Sequence, residues 1–310
     1  SVTSADAADY AVTVTSAVGS TTSRFARLVV ASPEPGRLIN LSARATAGVA
    51  GEPLIVGLVV SGGTRKVLVR AIGPSLRTLF GVDGVLADPR LEVHRSVDGQ
   101  DQMLAANDNW AATPEERDSL ATTFARVGAF AVPATSRDAA VVADVDGART
   151  FHACAVPASD RGVVLVEVYD AGTGDSPRLI NLSTRNQVGT GDDVLVAGFV
   201  VNGNMPKRLL VRGIGPSLAS GFGVTDALPD ARLELHTTID GRDTIVASND
   251  DWTDEPGAAE AAASAGAFAL PANSKDATLV VTVPAGAYTA IVSGAYGLTG
   301  NGLVEIYELP

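Results

Sequence analysis

The chain has 310 residues, of which 46% are hydrophobic and 19% charged, and its formal net charge is −12. This length holds two or three domains with apolar cores, and the negative charge disfavours nucleic acid and anionic membrane surfaces as partners, because those need clustered Lys and Arg. The single cysteine, Cys154, excludes an internal disulfide framework and a cysteine-based zinc site, and no apolar run is long enough to predict membrane insertion.

Residues 1–31 have the pattern of a β-hairpin. An alternating run at 11–15 precedes a turn at 17–20, and a second apolar run ends at 26–30. Asp6 and Tyr10 lie in an Asp-x-Ala-x-Tyr pattern that resembles the tyrosine corner of immunoglobulin-like domains, where the phenol bonds back to the main chain. The resemblance implies the last hairpin of such a domain, and any other β-hairpin is the alternative. Two strands cannot bury a core, so an upstream segment or a neighbouring chain is expected to complete it.

A proline-containing linker at 32–36 leads into an internal duplication, in which six blocks recur in the same order. The paired blocks are 37–42 with 178–183, 68–76 with 210–218, 80–82 with 222–224, 106–110 with 248–252, 128–133 with 266–271, and 166–169 with 304–307. The recurrence predicts two domains of the same fold, a first copy at 37–170 and a second copy at 178–310. The Gly-rich segment 171–177 joins them.

Each copy has apolar, β-branched runs with the spacing of sandwiches and barrels. In the first copy the predicted strands are 37–42, 54–60, 66–72, 90–95, 102–106, 139–145, 151–156 and 163–169. Segments 114–127 and 256–265 predict helices, with Thr113 and Asp254 as N-caps. The predicted fold class is all-β: two tandem jelly-roll-like β-sandwich domains, each with a short helical insertion, preceded by the N-terminal hairpin.

Two segments of the second copy resemble bacterial pre-peptidase C-terminal domains, which are secreted β-sandwich modules. Residues 240–251, DGRDTIVASNDD, are similar to the signature D-x-G-x-x-(L/I)-A-x-N-D-D, and residues 284–294, PAGAYTAIVSG, to P-A-G-x-Y-x-x-x-V-S-G. The first copy departs from the second motif at 146–155. The whole unit is also similar to repeats at the C-terminal ends of large secreted bacterial proteins. These resemblances imply an extracellular or cell-surface location and no catalytic residue.

A carboxylate-rich turn in each copy is the candidate metal site. The candidate ligands are Asp240, Asn249, Asp250 and Asp251 in the second copy and Asp98, Asn107 and Asp108 in the first. Carboxylate and amide oxygens are the ligands that calcium prefers, so calcium is the predicted cofactor. The alternative is that the Asn-Asp pairs form Asx turns that cap the next segment, because the spacing is not that of an EF-hand loop.

Trp110 and Trp252 follow these turns and are the candidate ligand-binding residues, because an exposed indole can stack on a sugar ring. A core position is the alternative for both. Arg70 and Arg212, in the repeated VRxIGPSL block, are expected to be partly buried and to satisfy carboxylates or loop carbonyls, with an anionic ligand as the alternative. The sequence contains no G-x-S-x-G, H-E-x-x-H or phosphate-loop motif.

These features predict a non-enzymatic structural or adhesive module of a bacterial surface or secreted protein. Its expected partners are other copies of the chain or components of the cell surface and matrix. One form of this function is a fibre in which the N-terminal hairpin donates strands to a neighbour. The alternative is a carbohydrate-binding accessory module of a secreted hydrolase, with glycans as its partners.

Overall fold

The computed structural model describes residues 2, 4–30, 33–48, 53–98, 100–146, 150–157 and 161–310, without the side chains of 4 and 150–157. The chain divides into two compact units, Ser1–Pro35 and Gly36–Pro310.

The first unit is a β-hairpin made of two paired segments. Strand β1 (Ala8–Tyr10) pairs with β4 (Ala26–Leu28), and β2 (Thr13–Ser16) pairs with β3 (Gly19–Thr22). A 3-10 turn at Ser4–Asp6 precedes β1. Every residue of these four strands is exposed, so the described part of this unit contains no apolar core.

The predicted tyrosine-corner hydrogen bond is present in this hairpin. The Tyr10 hydroxyl donates to the Asp6 carbonyl oxygen over 2.7 Å. This contact fixes the entry into β1 although Tyr10 itself is 49% exposed.

The second unit contains sixteen strands within its described residues. The strands of the first copy are β5 (Arg37–Ala47), β6 (Leu54–Ser61), β7 (Thr64–Ile72), β8 (Pro89–Val97), β9 (Gln100–Asn107), β10 (Ala139–Asp146), β11 (Thr150–Pro157) and β12 (Gly162–Asp170). Those of the second copy are β13 (Arg178–Val188), β14 (Leu195–Asn202), β15 (Lys207–Ile214), β16 (Ala231–Ile239), β17 (Arg242–Asn249), β18 (Ala277–Val283), β19 (Gly286–Gly294) and β20 (Gly300–Glu308). All eight strands predicted in the first copy are therefore confirmed.

Four α-helices lie between the strands in the described part of the chain. They are α1 (Pro74–Phe80), α2 (Pro114–Val127), α3 (Pro216–Phe222) and α4 (Ala258–Ala265). No helix among the described residues is both long and apolar enough to cross a membrane.

The predicted N-cap of α2 is confirmed, and that of α4 is wrong. The Thr113 hydroxyl accepts from the Glu116 amide, and the Glu116 carboxylate accepts from the Thr113 amide, which is a complete capping box. Asp254 instead ends a 3-10 turn, and α4 starts after Gly257. Gly257 has a φ of 77°, so the chain reverses at that glycine and separates the turn from the helix.

Each copy has the strand order of a jelly roll. With the eight strands of a copy numbered in sequence, one group of four is ordered 1-8-3-6 and the other 2-7-4-5. Paired strands in both groups are antiparallel. This arrangement confirms the predicted eight-stranded, jelly-roll-like sandwich.

The two copies share both of their sheets. One sheet has the order β10-β7-β12-β5-β14-β19-β16-β17, and the other has the order β18-β15-β20-β13-β6-β11-β8-β9. The joints are the pairs β5–β14 and β13–β6, each of which connects a strand of one copy to a strand of the other. The predicted domains 37–170 and 178–310 are thus joined in one unit, because an edge strand of each copy is used as a partner by the other.

One apolar core follows these continuous sheets through both copies. Leu41 and Leu58 of the first copy and Leu182 and Phe199 of the second belong to the same buried cluster, and none is more than 1% exposed. Burial of such side chains is the main source of stability for a sandwich of this kind.

The segment between the copies is held by side chains of the first copy. Arg65, which is 2% exposed, pairs with Asp170 and donates to the carbonyl oxygens of Thr173 and Gly174 over 2.8 and 3.1 Å. Arg37 donates to the same Gly174 oxygen over 2.8 Å. The predicted Gly-rich linker therefore has a fixed path.

Candidate functional site

The recurring arginines are buried structural residues. Arg70 is fully buried, and its Nε donates to Glu167 Oε2 over 2.9 Å while its Nη1 donates to the Phe130 carbonyl over 2.6 Å. Its guanidinium carbon lies 4.2 Å from the centre of the Phe130 ring. The expectation that this arginine satisfies a carboxylate and a loop carbonyl is confirmed.

The second copy repeats this cluster. Arg212 Nε donates to Glu305 Oε2 over 2.9 Å, and Arg212 Nη1 donates to the Phe268 carbonyl over 2.7 Å. The Tyr307 hydroxyl donates to Glu305 Oε1 over 2.7 Å, as that of Tyr169 does to Glu167. A buried pair that is paired and hydrogen-bonded in this way orients the surrounding loops.

A second recurring cluster fixes the starts of α1 and α3, which the sequence did not predict. Asp138 is fully buried, and its Oδ1 accepts from the Gly73 amide over 2.7 Å. Its other oxygen accepts from the hydroxyls of Ser75 and Ser136. A Cβ at residue 73 would lie 2.0 Å from the Leu86 carbonyl oxygen, so the glycine of the GPSL block is required by this close approach.

The predicted ligand-binding tryptophans differ in exposure. Trp110 is 4% exposed, packs against Phe124 with ring centres 5.3 Å apart, and donates from Nε1 to the Pro133 carbonyl over 3.1 Å. Its burial contradicts a role as a sugar platform, because helix α2 covers the indole. Trp252 is half-buried and makes the same hydrogen bond, to the Pro271 carbonyl.

The predicted calcium ligands do not converge as one set. Asp240 occupies the β16–β17 turn with a φ of 51°, next to Gly241 at 75°, and Asp98 has the same φ in the β8–β9 turn. Two successive positive φ values are those of a tight hairpin turn, which Asp-Gly favours. Asn249 ends β17, so a strand of eight residues, about 25 Å long, separates it from Asp240.

The asparagines of this set bond to the main chain, but not as the Asx turns given as the alternative, in which the side-chain oxygen accepts from the amide two residues on. Asn249 Nδ2 donates to the Asp251 carbonyl over 3.0 Å, and Asn249 Oδ1 accepts from the Thr278 amide over 2.8 Å. Asn107 makes the corresponding contacts with the Asn109 carbonyl and the Ala140 amide. Their amides therefore connect the end of one strand to the start of another.

Asp250 and Asp251 do come together with Asp230, around a lysine. Lys275 Nζ lies 2.7 Å from Asp251 Oδ2. Burial raises the pKa of Asp230, Lys275 opposes that rise, and Asp251 and Asp250 add to it. No group of three or more acidic, His or Cys side chains in the described residues is arranged to hold a metal ion. Calcium binding stays a prediction.

A groove of about 790 Å³ lies on the outer face of the sheet that contains β6 and β13. Its floor consists of outward-facing residues of β6, β13 and β20, including Ile55, Val59, Ile180 and Leu303. Residues of both copies thus form one surface, which we call the groove.

One wall of the groove is aromatic. Phe222, the last residue of α3, is 60% exposed and meets Phe268 edge to face, with ring centres 5.1 Å apart. Tyr307 and Glu305 complete this wall, and both are held by the Arg212 cluster.

The opposite wall is polar and comes from the β8–β9 hairpin. His94 Nδ1 lies 2.7 Å from Asp101 Oδ2, and His94 Nε2 lies 3.1 Å from Glu92 Oε2. Two carboxylates thus hold the ring in one orientation. In the second copy His236 has the corresponding neighbours Asp243, at 2.9 Å, and Glu234, at 3.7 Å.

Two polar side chains on the groove floor have unused hydrogen-bonding capacity. Arg185 and Ser183 extend from the outer face of β13, opposite Ile55 and Gly57 of β6. Neither side chain has a hydrogen bond or ion pair with the described residues. Sequence reasoning missed the groove because its residues become neighbours only when β13 pairs with β6.

Comparisons with known proteins identify no family. No protein-family model matches the chain, and no curated protein matches it. Among solved structures, it is similar to the major capsid protein P2 from bacteriophage PM2, at 11% identity over 89% of this chain and 98% of that one, with a TM-score of 0.22. It is also similar to PNGF-II, at 9% identity over 97% of this chain and 65% of that one, with a TM-score of 0.22.

Proposed function

We propose that the protein is a non-enzymatic structural or adhesive module of a bacterial surface or secreted protein. The observation that carries this proposal is that the residues repeated between the copies are buried and paired within each copy. Arg70 and Asp138 are fully buried, and so are their counterparts Arg212 and Asp276. The side chains that both copies retain are those that hold loops against the sheets. This favours a role of the repeated residues in maintaining the fold over a role in catalysis.

The N-terminal hairpin supports assembly with other copies. Eight of its large hydrophobic side chains are exposed, namely Val2, Tyr10, Val12, Val14, Val18, Phe25, Leu28 and Val29. Each of its two sheets has two strands, so their outer edges are unpaired among the described residues. Exposed apolar strands with free edges pair with further strands, so we propose that a neighbouring copy completes the sheet and that repetition of this contact forms a fibre.

The fibre proposal is tested by comparing the full chain with a chain that begins at Gly36. Sedimentation and electron microscopy at high protein concentration should show assemblies for the full chain and monomers for the shortened one. Val14→Lys, which places a charge on the exposed strand β2, should also reduce assembly. Dispersed monomers of the full chain would contradict strand donation.

A carbohydrate-binding accessory module is the second candidate function. The groove favours it, because an apolar floor and an aromatic wall lie opposite carboxylate, imidazole and guanidinium groups. Ligand sites are concave and apolar, with a few polar groups that fix orientation. Calcium and glycans remain proposed partners.

A further inference from the structure

We propose that the groove binds a short neutral oligosaccharide, recognised by Arg185, Ser183 and Glu92 and seated against Phe222. This inference rests on the second candidate function and moves its site away from the tryptophans. The site belongs to both copies, since Glu92 is on β8 of the first and the other three residues are in the second.

The two copies differ in the helix that lies beside the groove. Counted back from the shared Gly-Ala-Phe-Ala block, Leu120, Phe124 and Val127 of α2 correspond to Ala258, Ala262 and Ala265 of α4. In the first copy, Phe124 packs on Trp110 and lies 4.8 Å from the Arg70 guanidinium carbon.

The second copy keeps the Arg-Glu-Tyr cluster but replaces the large side chains of the helix by alanines. Ala265 lines the groove at the position where the first copy has Val127. Loss of side-chain volume beside a preserved buried cluster opens space without disturbing the sheet. Of the three alanines, Ala265 lines the groove, whereas Ala258 and Ala262 are buried beneath the helix.

The pairing of the floor strands restricts the kind of ligand that the groove can bind. The floor strands β6 and β13 are each paired on both sides, β6 with β11 and β13, and β13 with β20 and β6. Their main-chain groups are used within the sheet, so a peptide cannot add to them as an extra strand. Recognition has to come from side chains.

The side chains of the groove suit hydroxyl groups on an apolar ring. The Arg185 guanidinium offers donors, Ser183 donates or accepts, and the Glu92 carboxylate accepts. Ile55, Leu303 and the exposed Phe222 offer flat apolar surface to the C–H face of a sugar. The groove volume of about 790 Å³ lies within the usual range for small-ligand sites.

The charges of the groove favour a neutral sugar over a charged one. Both signs are present, with Arg185 on the floor and Glu92 and Asp101 on the wall. The chain as a whole carries a net charge of −12, which repels polyanions such as acidic polysaccharides. A neutral ligand is not repelled in this way and can still use the donors and acceptors of the floor and of the polar wall.

The test uses the full chain on an array of neutral and acidic oligosaccharides and of short peptides, followed by calorimetry with the best-bound neutral sugar. The wild-type chain should bind at least one neutral oligosaccharide. Arg185→Ala and Ala265→Phe should each weaken that binding by about tenfold or more, the first by loss of charged hydrogen bonds and the second by filling the groove.

The internal duplication provides matched controls. Arg44→Ala and Val127→Phe change the corresponding residues of the first copy, and both should bind like the wild type. Thermal unfolding of all four variants checks that each is folded.

The possible results separate the inference from the functions on which it rests. Sugar binding that Arg185→Ala and Ala265→Phe leave unchanged would keep a carbohydrate-binding function and overturn the groove as its site. Binding only to peptides or acidic sugars, or to no probe on the array, would overturn the inference. None of these results bears on fibre formation, which the shortened chain tests separately.

Discussion

At the scale of single residues, the duplicated arginines show how the fold uses buried charge. Arg70 has no exposed surface, and its partner Glu167 has 3%. Taking both charges out of water is costly, and the pair tolerates burial because Tyr169 and the Phe130 carbonyl satisfy remaining hydrogen-bonding positions. Each charge of the pair can therefore be buried only because the other is present.

Arg70→Met should lower the free energy of unfolding by about 3–5 kcal/mol, because it leaves Glu167 buried without its cation. Arg70→Met combined with Glu167→Gln should recover much of that loss, since no uncompensated charge remains. Urea denaturation measures both. If the single variant were as stable as the double variant, the buried pair would not have the assigned role.

Two buried tyrosines predict a loss of stability at alkaline pH. Burial, followed by the adjacent glutamate, raises the pKa of Tyr169 and that of Tyr307 well above the ordinary tyrosine value of about 10. Above that pH the unfolded chain loses these protons while the folded chain keeps them. The stabilising contribution is thus complete below about pH 10 and decreases as the pH rises beyond it.

Tyr169→Phe combined with Tyr307→Phe should reduce this alkaline loss. At neutral pH the double variant should be less stable by about 1 kcal/mol for each hydroxyl hydrogen bond removed. Urea denaturation from neutral to alkaline pH should show the difference from wild type shrinking as pH rises. A constant difference across that range would argue against titration of these two side chains.

At the scale of elements, the two helical insertions differ in what they cover. Helix α2 has fourteen residues and buries Phe124, whereas α4 has eight and buries only alanines among its own residues. The indole of Trp110 is therefore buried in the first copy, whereas the indole of Trp252 is half-buried in the second.

Single-tryptophan variants should report this difference directly. Trp252→Phe leaves Trp110, whose fluorescence should lie at shorter wavelength and resist acrylamide, because α2 excludes water from the ring. Trp110→Phe leaves Trp252, which should emit at longer wavelength and be quenched more readily. Equal quenching of the two indoles would contradict the different cover given by α2 and α4.

At the scale of the whole molecule, the shared sheets and core make the copies of Gly36–Pro310 mutually dependent. Strand β6 of the first copy pairs with β13 of the second, and Leu58 of β6 is fully buried in the common core. Loss of packing in one copy is therefore transmitted to the other through strand pairing.

Leu58→Ala should lower the stability of both copies by the same amount, about 2–5 kcal/mol. Introduced into the two single-tryptophan variants, it should shift the urea midpoints reported by Trp110 and Trp252 together. A shift confined to the Trp110 signal would mean that the copies unfold as independent domains.

The sequence by itself determined the local structure of this protein. Apolar, β-branched runs predicted all eight strands of the first copy, and Thr113 before a proline-led turn predicted the capped helix α2. The resemblance of the Asp-x-Ala-x-Tyr pattern to a tyrosine corner implied the bond from Tyr10 to the main chain. These features depend on neighbours within a few residues, so periodicity and capping chemistry are sufficient to find them.

The tertiary structure alone decided which strands of one copy pair with strands of the other, and which side chains share a surface. The strand pairs β5–β14 and β13–β6 bring together residues that lie more than a hundred positions apart in the sequence. Arg185 and Ile55 are one such pair. Two separate sandwiches and two joined ones have the same alternation of apolar residues along the chain. Only packing of the edge strands selects the joined form, and with it the groove.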